Sequence, residues 1–81
     1  MVLATLPKGQ AATVHKVDHP QFEMKQQLEA LGFDAGEPVL LVNIAPFGDP
    51  LQVKIGQTLV SIHRRDAQHI HLCSPNCQDN H

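Results

Sequence analysis

The chain has no tryptophan and no tyrosine, and its only aromatic residues are three phenylalanines. A core must therefore be assembled from Val, Leu, Ile and Ala, which suits short strands closing into a small barrel. Cationic residues are also scarce, with six Lys and Arg against eight Asp and Glu and a formal net charge of −2. Non-specific nucleic-acid binding needs several cationic phosphate contacts, and Arg64-Arg65 is the one basic cluster, so the composition argues against that class. No apolar run approaches the ~20 residues of a membrane span. The opening MVLATLPKG has too short an apolar run, and no preceding cationic segment, for a secretory signal; the expectation is a cytosolic protein. Cysteine is limited to Cys73 and Cys77, close together near the end rather than distributed as in a disulfide-stapled secreted domain, so reduced thiols are expected. There is no nucleophile motif, no Gly-rich phosphate loop and no pair of carboxylates on one helix face, and the chain is read as non-enzymatic.

The 81 residues leave room for one domain and a small core. A chain this short buries about 60–65% of the surface its unfolded form exposes. The most informative stretch runs from Leu31 to Ile62. Gly36 and Pro38 stop a helix from entering Val39-Leu40-Leu41-Val42-Asn43-Ile44, an apolar, β-branched run that reads as a buried strand. Pro46, Gly48, Asp49 and Pro50 then force a loop, in which Asp49 is read as a turn residue bonding its own backbone. Beyond it Leu51, Val53 and Ile55 alternate with Gln52 and Lys54, the pattern of a strand with one wet face. Gly56-Gln57 is a two-residue turn with Gly first, as in a type II′ hairpin. That turn pairs Ile55 with Thr58, Val53 with Val60 and Leu51 with Ile62.

Upstream, Ala11 to Val17 reads as a first strand with Val14 inward. His19-Pro20 ends it and places Pro20 at a first helical position, with Asp18 or His19 as N-cap. Gln21 to Leu31 is a helix whose Met24, Leu28 and Leu31 share one face, closed by Gly32. It is too short to be stable alone, so the stripe must pack on the sheet, joined by Phe22 or Phe33. A last strand is expected from Gln68 to Leu72, with Ile70 and Leu72 inward and His69, His71 and Cys73 outward. The organisation is thus a domain over residues 1–73 and a polar tail over 74–81, and the fold class is mainly β with one short inserted helix.

The one constellation with ligand chemistry is His71-x-Cys73-x3-Cys77-x3-His81. Thiolate and imidazole are the donors zinc prefers, and four of them complete a tetrahedral site. The plain alternative is a solvated tail that carries two thiols. His15 and His19 are four apart but straddle a strand end and Pro20, which does not suit a ligand pair.

The segment Leu28-Glu29-Ala30-Leu31-Gly32-Phe33-Asp34-Ala35-Gly36, then Ala45-Pro46-Phe47-Gly48-Asp49-Pro50 and Val53-Lys54-Ile55-Gly56, and finally Arg64-Arg65-Asp66-Ala67-Gln68-His69-Ile70, resembles the FeoA family. These are small cytosolic proteins that accompany the ferrous iron transporter FeoB. The resemblance spans roughly residues 3 to 72, and it departs from the family where members commonly carry Arg in place of His63, although Arg64 stands beside it. It implies an SH3-like small β-barrel of about five strands, a fold also resembling the C-terminal domains of iron-dependent repressors. It further implies an accessory role in ferrous iron uptake, through contact with the cytoplasmic GTPase region of FeoB. Iron itself is not implied as a ligand, because thiolates with histidines favour zinc or cuprous ion.

A small barrel without catalytic groups offers a partner an apolar groove and shaped loops. The groove is expected between the helix and the Pro46–Pro50 loop, with Phe22, Met24, Phe47 and Leu51 as contacts. Free strand edges at the rim add the expectation of a homodimer. The competing expectation is a metal-responsive module in which His71, Cys73, Cys77 and His81 hold zinc or another divalent ion.

Overall fold

The fold was analysed in a computed structural model, which describes residues 1–73. After a short 3-10 turn at Leu3–Thr5, strand β1 (Ala11–Val17) leads to helix α1 (Phe22–Ala30), then to β2 (Pro38–Ile44), β3 (Leu51–Ile55) and β4 (Thr58–Ile62). A four-residue helix α2 (Arg64–Ala67) precedes β5 (Ile70–Cys73). The strands form one five-stranded sheet in the order β4-β3-β2-β1-β5, antiparallel throughout, and the architecture is SH3-like. β2 and β1 are not joined by a hairpin, and α1 occupies the connection between them.

The β3–β4 hairpin forms in the register its turn dictates: Ile55 faces Thr58, Val53 faces Val60 and Leu51 faces Ile62. Gly56 has φ +61°, the value required at the first central position of a II′ turn and costly for a side-chain-bearing residue. Alternation holds in β3, where Leu51, Val53 and Ile55 are all buried. In β2 it replaces the expected all-round burial. Val39 and Leu41 face the core and Val42 is exposed, because β2 is covered on one side and slips register against β3 between Leu41 and Asn43.

The helix contributes less to the core than its stripe suggests. Leu28 is its one buried residue, Met24 is half-buried, and Leu31 lies beyond the helix end, largely exposed. Phe33 takes the expected place of Leu31 and is wholly buried. The chain returns to the core through Gly32, whose φ is +117°. A Cβ at Gly32 would sit 3.2 Å from Cγ1 of Ile55, so the close approach of this corner to β3 requires glycine.

Two expectations at element ends are corrected. The helix is capped at Gln21, not at Asp18 or His19, and Pro20 precedes the cap instead of opening the helix. Asp18 is held back by the sheet, where its N–H donates to the His69 carbonyl at 2.7 Å. The last strand starts at Ile70 instead of Gln68, because Arg64–Ala67 has wound into α2 and Gln68 is its C-cap. Within β5 the predicted facing holds: Ile70 and Leu72 are buried, while His71 and Cys73 are partly exposed.

Candidate functional site

α2 has no side-chain cap of its own at His63, and its first N–H is satisfied from fifteen residues upstream. The Oδ1 of Asp49 accepts from the Arg64 N–H at 2.7 Å and so satisfies one of the donors that a helix start leaves without an intrahelical partner. Its Oδ2 lies 3.6 Å from Nδ1 of His63. The Arg64 N–H holds the Asp49 carboxyl below the usual carboxylate range, and the His63 ring lowers it further. Asp49 is therefore not the self-contained turn residue that its neighbours suggest.

Arg64 returns the connection with its side chain. Nε donates to the Gly48 carbonyl at 2.9 Å, and Nη1 donates to the Ala4 carbonyl of the 3-10 turn. The loop between β2 and β3 is also closed on itself, with Gly48 N–H donating to the Ala45 carbonyl at 2.8 Å and a cis peptide between Asp49 and Pro50. Phe47 stands on this pinned loop with 97% of its surface exposed. The other contacts expected with it are distributed differently. Phe22 is exposed at the first position of α1 and Met24 is half-buried. Leu51, by contrast, is wholly buried as the first residue of β3 and presents nothing to a partner.

The opening beside the helix is also displaced from its expected place. A pocket of about 330 Å³ is lined by His19, Pro20, Gln21, Met24, Arg65, Asp66 and His69, so its far wall is α2 and not the Pro46–Pro50 loop. His19 and Asp66 form its floor, with side chains 7% and 11% exposed and Nε2 to Oδ1 at 3.0 Å. The tautomer follows from chemistry. Nδ1 of His19 faces the Gln21 backbone N–H at 3.1 Å, which can only donate, so Nδ1 accepts and Nε2 carries the proton given to Asp66. One imidazole thus joins the start of α1 to α2, and the His69 ring packs on it at 4.6 Å between centroids. Sequence spacing does not signal this, since His19 and Asp66 are 47 residues apart.

Of the four expected metal ligands, His71 and Cys73 lie on the outer face of β5, while Cys77 and His81 lie outside the described residues. Among the described residues the thiol of Cys73 is free, and Nε2 of His71 is 3.9 Å from Oδ2 of Asp18. Among the described residues no group of three or more His, Cys, Asp or Glu is placed to hold a metal ion. Of the four expected donors the described residues account for two, the imidazole of His71 and the thiol of Cys73. His15 is exposed on β1 whereas His19 is turned to Asp66, so they form no pair.

Residues 1–72 match the FeoA domain family. The chain belongs to the FeoA family. No curated protein matches it at a significant level. Among solved structures it is similar to the FeoA protein of Chlorobium tepidum, with 27% identity and a TM-score of 0.87 over 100% of this chain and 76% of that one. It is also similar to iron(II) transport protein A of Clostridium thermocellum, with 31% identity and a TM-score of 0.84 over 91% of this chain and 45% of that one. A third is the zinc complex of Stenotrophomonas maltophilia FeoA, described as a prokaryotic SH3-domain protein and a candidate ferrous iron transport activating factor. It shows 32% identity and a TM-score of 0.80 over 89% of this chain and 88% of that one. The FeoA family is linked to ferrous iron transport and described as an accessory factor of it. Among the described residues no helix is long and apolar enough to cross a membrane.

Proposed function

We propose that this FeoA protein acts in ferrous iron uptake by binding the cytoplasmic GTPase region of the transporter FeoB, and that Phe47 and the mouth of the Met24 pocket supply the contact. The observation that carries this reading is Phe47, an aromatic side chain 97% exposed on a loop tied to Arg64 by two hydrogen bonds, one through the Gly48 carbonyl and one through the Asp49 carboxylate. A large apolar side chain left in water on a rigid support is the arrangement of a binding anchor, because its burial recovers hydrophobic free energy and little ordering entropy is lost on docking.

α2 gives the surface its continuity. Its first residue, Arg64, holds the Phe47 loop, and the next two, Arg65 and Asp66, form the wall that faces Met24. A partner that covers α2 therefore meets an apolar anchor on one side and a pocket with an apolar wall on the other. Leu51 has no direct part in this contact.

Replacing Met24 and Phe47 together by Asp tests the reading. Both side chains lie outside the buried core, so circular dichroism and the unfolding midpoint stay close to wild type while binding to the FeoB cytoplasmic region is lost. A folded double variant that binds as well as wild type removes this surface from the interaction.

A further inference from the structure

The two ends of the sheet are treated differently by the chain. The outer edge of β5 is covered by the N-terminal residues: Val2 makes an isolated antiparallel bridge to His71, and the Leu72 N–H donates to the Met1 carbonyl at 2.7 Å. The pairs β1–β5 and β2–β3 each contain a register shift. β4, at the other end, has none of the features that usually guard an edge. Its sequence, Thr58-Leu59-Val60-Ser61-Ile62, has no charge and no proline, and its register with β3 is unbroken over five pairs.

The turn determines which backbone groups are free. In a two-residue hairpin the residues flanking the turn exchange both backbone bonds, so Ile55 and Thr58 are a bonded pair, and the alternation makes Val53–Val60 and Leu51–Ile62 bonded pairs as well. Leu59 and Ser61 consequently direct their N–H and C=O groups away from β3. Among the described residues these groups have no partner. On the same strand Leu59 is 60% exposed, and Val60 is a partly buried residue at the edge of the core.

We propose that β4 is a self-association edge on which a second copy of this chain pairs antiparallel, with the two-fold axis at Val60. Leu59 and Ser61 are placed symmetrically about Val60, so an identical strand running the opposite way sets Leu59 against Ser61 of the second copy. All four free N–H and C=O groups on each edge are then used in four hydrogen bonds. Val60 meets Val60 of the second copy beside the core, and Thr58 meets Ile62. Because the strand is uncharged, the symmetry brings no like charges together. Every copy of the chain carries this same uncharged strand with its free groups in matching positions, so a second copy is the occupant to which the proposal commits. The contact is one short strand long and falls below the ~1,200 Å² of a standard interface, so the dimer dissociates on dilution.

The test is the mass of the full chain by sedimentation equilibrium under reducing conditions, from roughly 10 μM to roughly 1 mM protein, a range suited to weak association. The expected result is a reversible doubling of apparent mass, accompanied by concentration-dependent slowing of hydrogen exchange at the Leu59 and Ser61 amides. Ser61→Pro removes an outward donor and no bond to β3, so it keeps the wild-type circular dichroism and remains monomeric. Leu59→Lys charges the exposed face of the edge, suppresses the dimer in the same way, and carries the test if the proline variant unfolds. A wild-type chain that stays monomeric throughout, or a dimer indifferent to a folded edge variant, overturns the proposal.

Discussion

Asp49 divides its two carboxylate oxygens between the Arg64 N–H and the His63 ring, and so links the loop that carries Phe47 to the first turn of α2. Its pKa in the folded chain lies below its ordinary value, so the carboxylate contributes stability that is present above the unfolded value of about 3.9 and is lost as pH falls through the folded one. Asp49→Asn should therefore unfold more readily than wild type at neutral pH, and the difference should close in acid. Denaturant midpoints measured for both chains from neutral pH to the acid limb check this, and a pH-independent gap contradicts it. His19 is the second residue with two distinct duties. Its removal orphans the nearly buried Asp66 carboxylate and frees the Gln21 N–H, so His19→Ala should cost about 1–3 kcal/mol in urea unfolding. Neither role is legible in the sequence. A histidine before Pro20 looks like a strand end, and only the fold brings residue 66 beside it.

Among the elements, the β3–β4 hairpin was legible because its determinants are local: alternating apolar residues and a glycine-led two-residue turn leave a single register with all the apolar side chains on one face. β1 and the facing of β5 follow from the same period of two. α2 was not legible, because a four-residue helix has almost no periodic signal and its capping group comes from Asp49, far along the chain. The start of α1 is hidden for a related reason, since Asp18 is the better capping residue chemically but its backbone is committed to the sheet through His69. Leu51 and Phe47 look alike in the sequence, as apolar residues at a loop, and burial separates them. Leu51→Ala should destabilise the fold by about 2–5 kcal/mol, whereas Phe47→Ala should leave the unfolding midpoint nearly unchanged. Parallel thermal melts of the two variants distinguish the core residue from the surface one.

For the molecule as a whole, the barrel class and the family were legible in the ordered motifs, and the structure explains why those motifs travel together. The Gly-Asp-Pro corner and the Arg-led α2 are bonded to each other, and Gly32 brings its own corner against Ile55. The geometry of the candidate surface was legible only in part: Phe47 is exposed and Met24 lines a pocket, but the pocket faces α2, whose existence the sequence does not announce. The central claim is that this surface docks on the cytoplasmic GTPase region of FeoB. The most direct measurement is a calorimetric titration of that region with the full wild-type chain. The account predicts saturable binding whose heat capacity change is negative, as burial of apolar side chains requires. Absence of binding to folded, nucleotide-loaded GTPase region would contradict it.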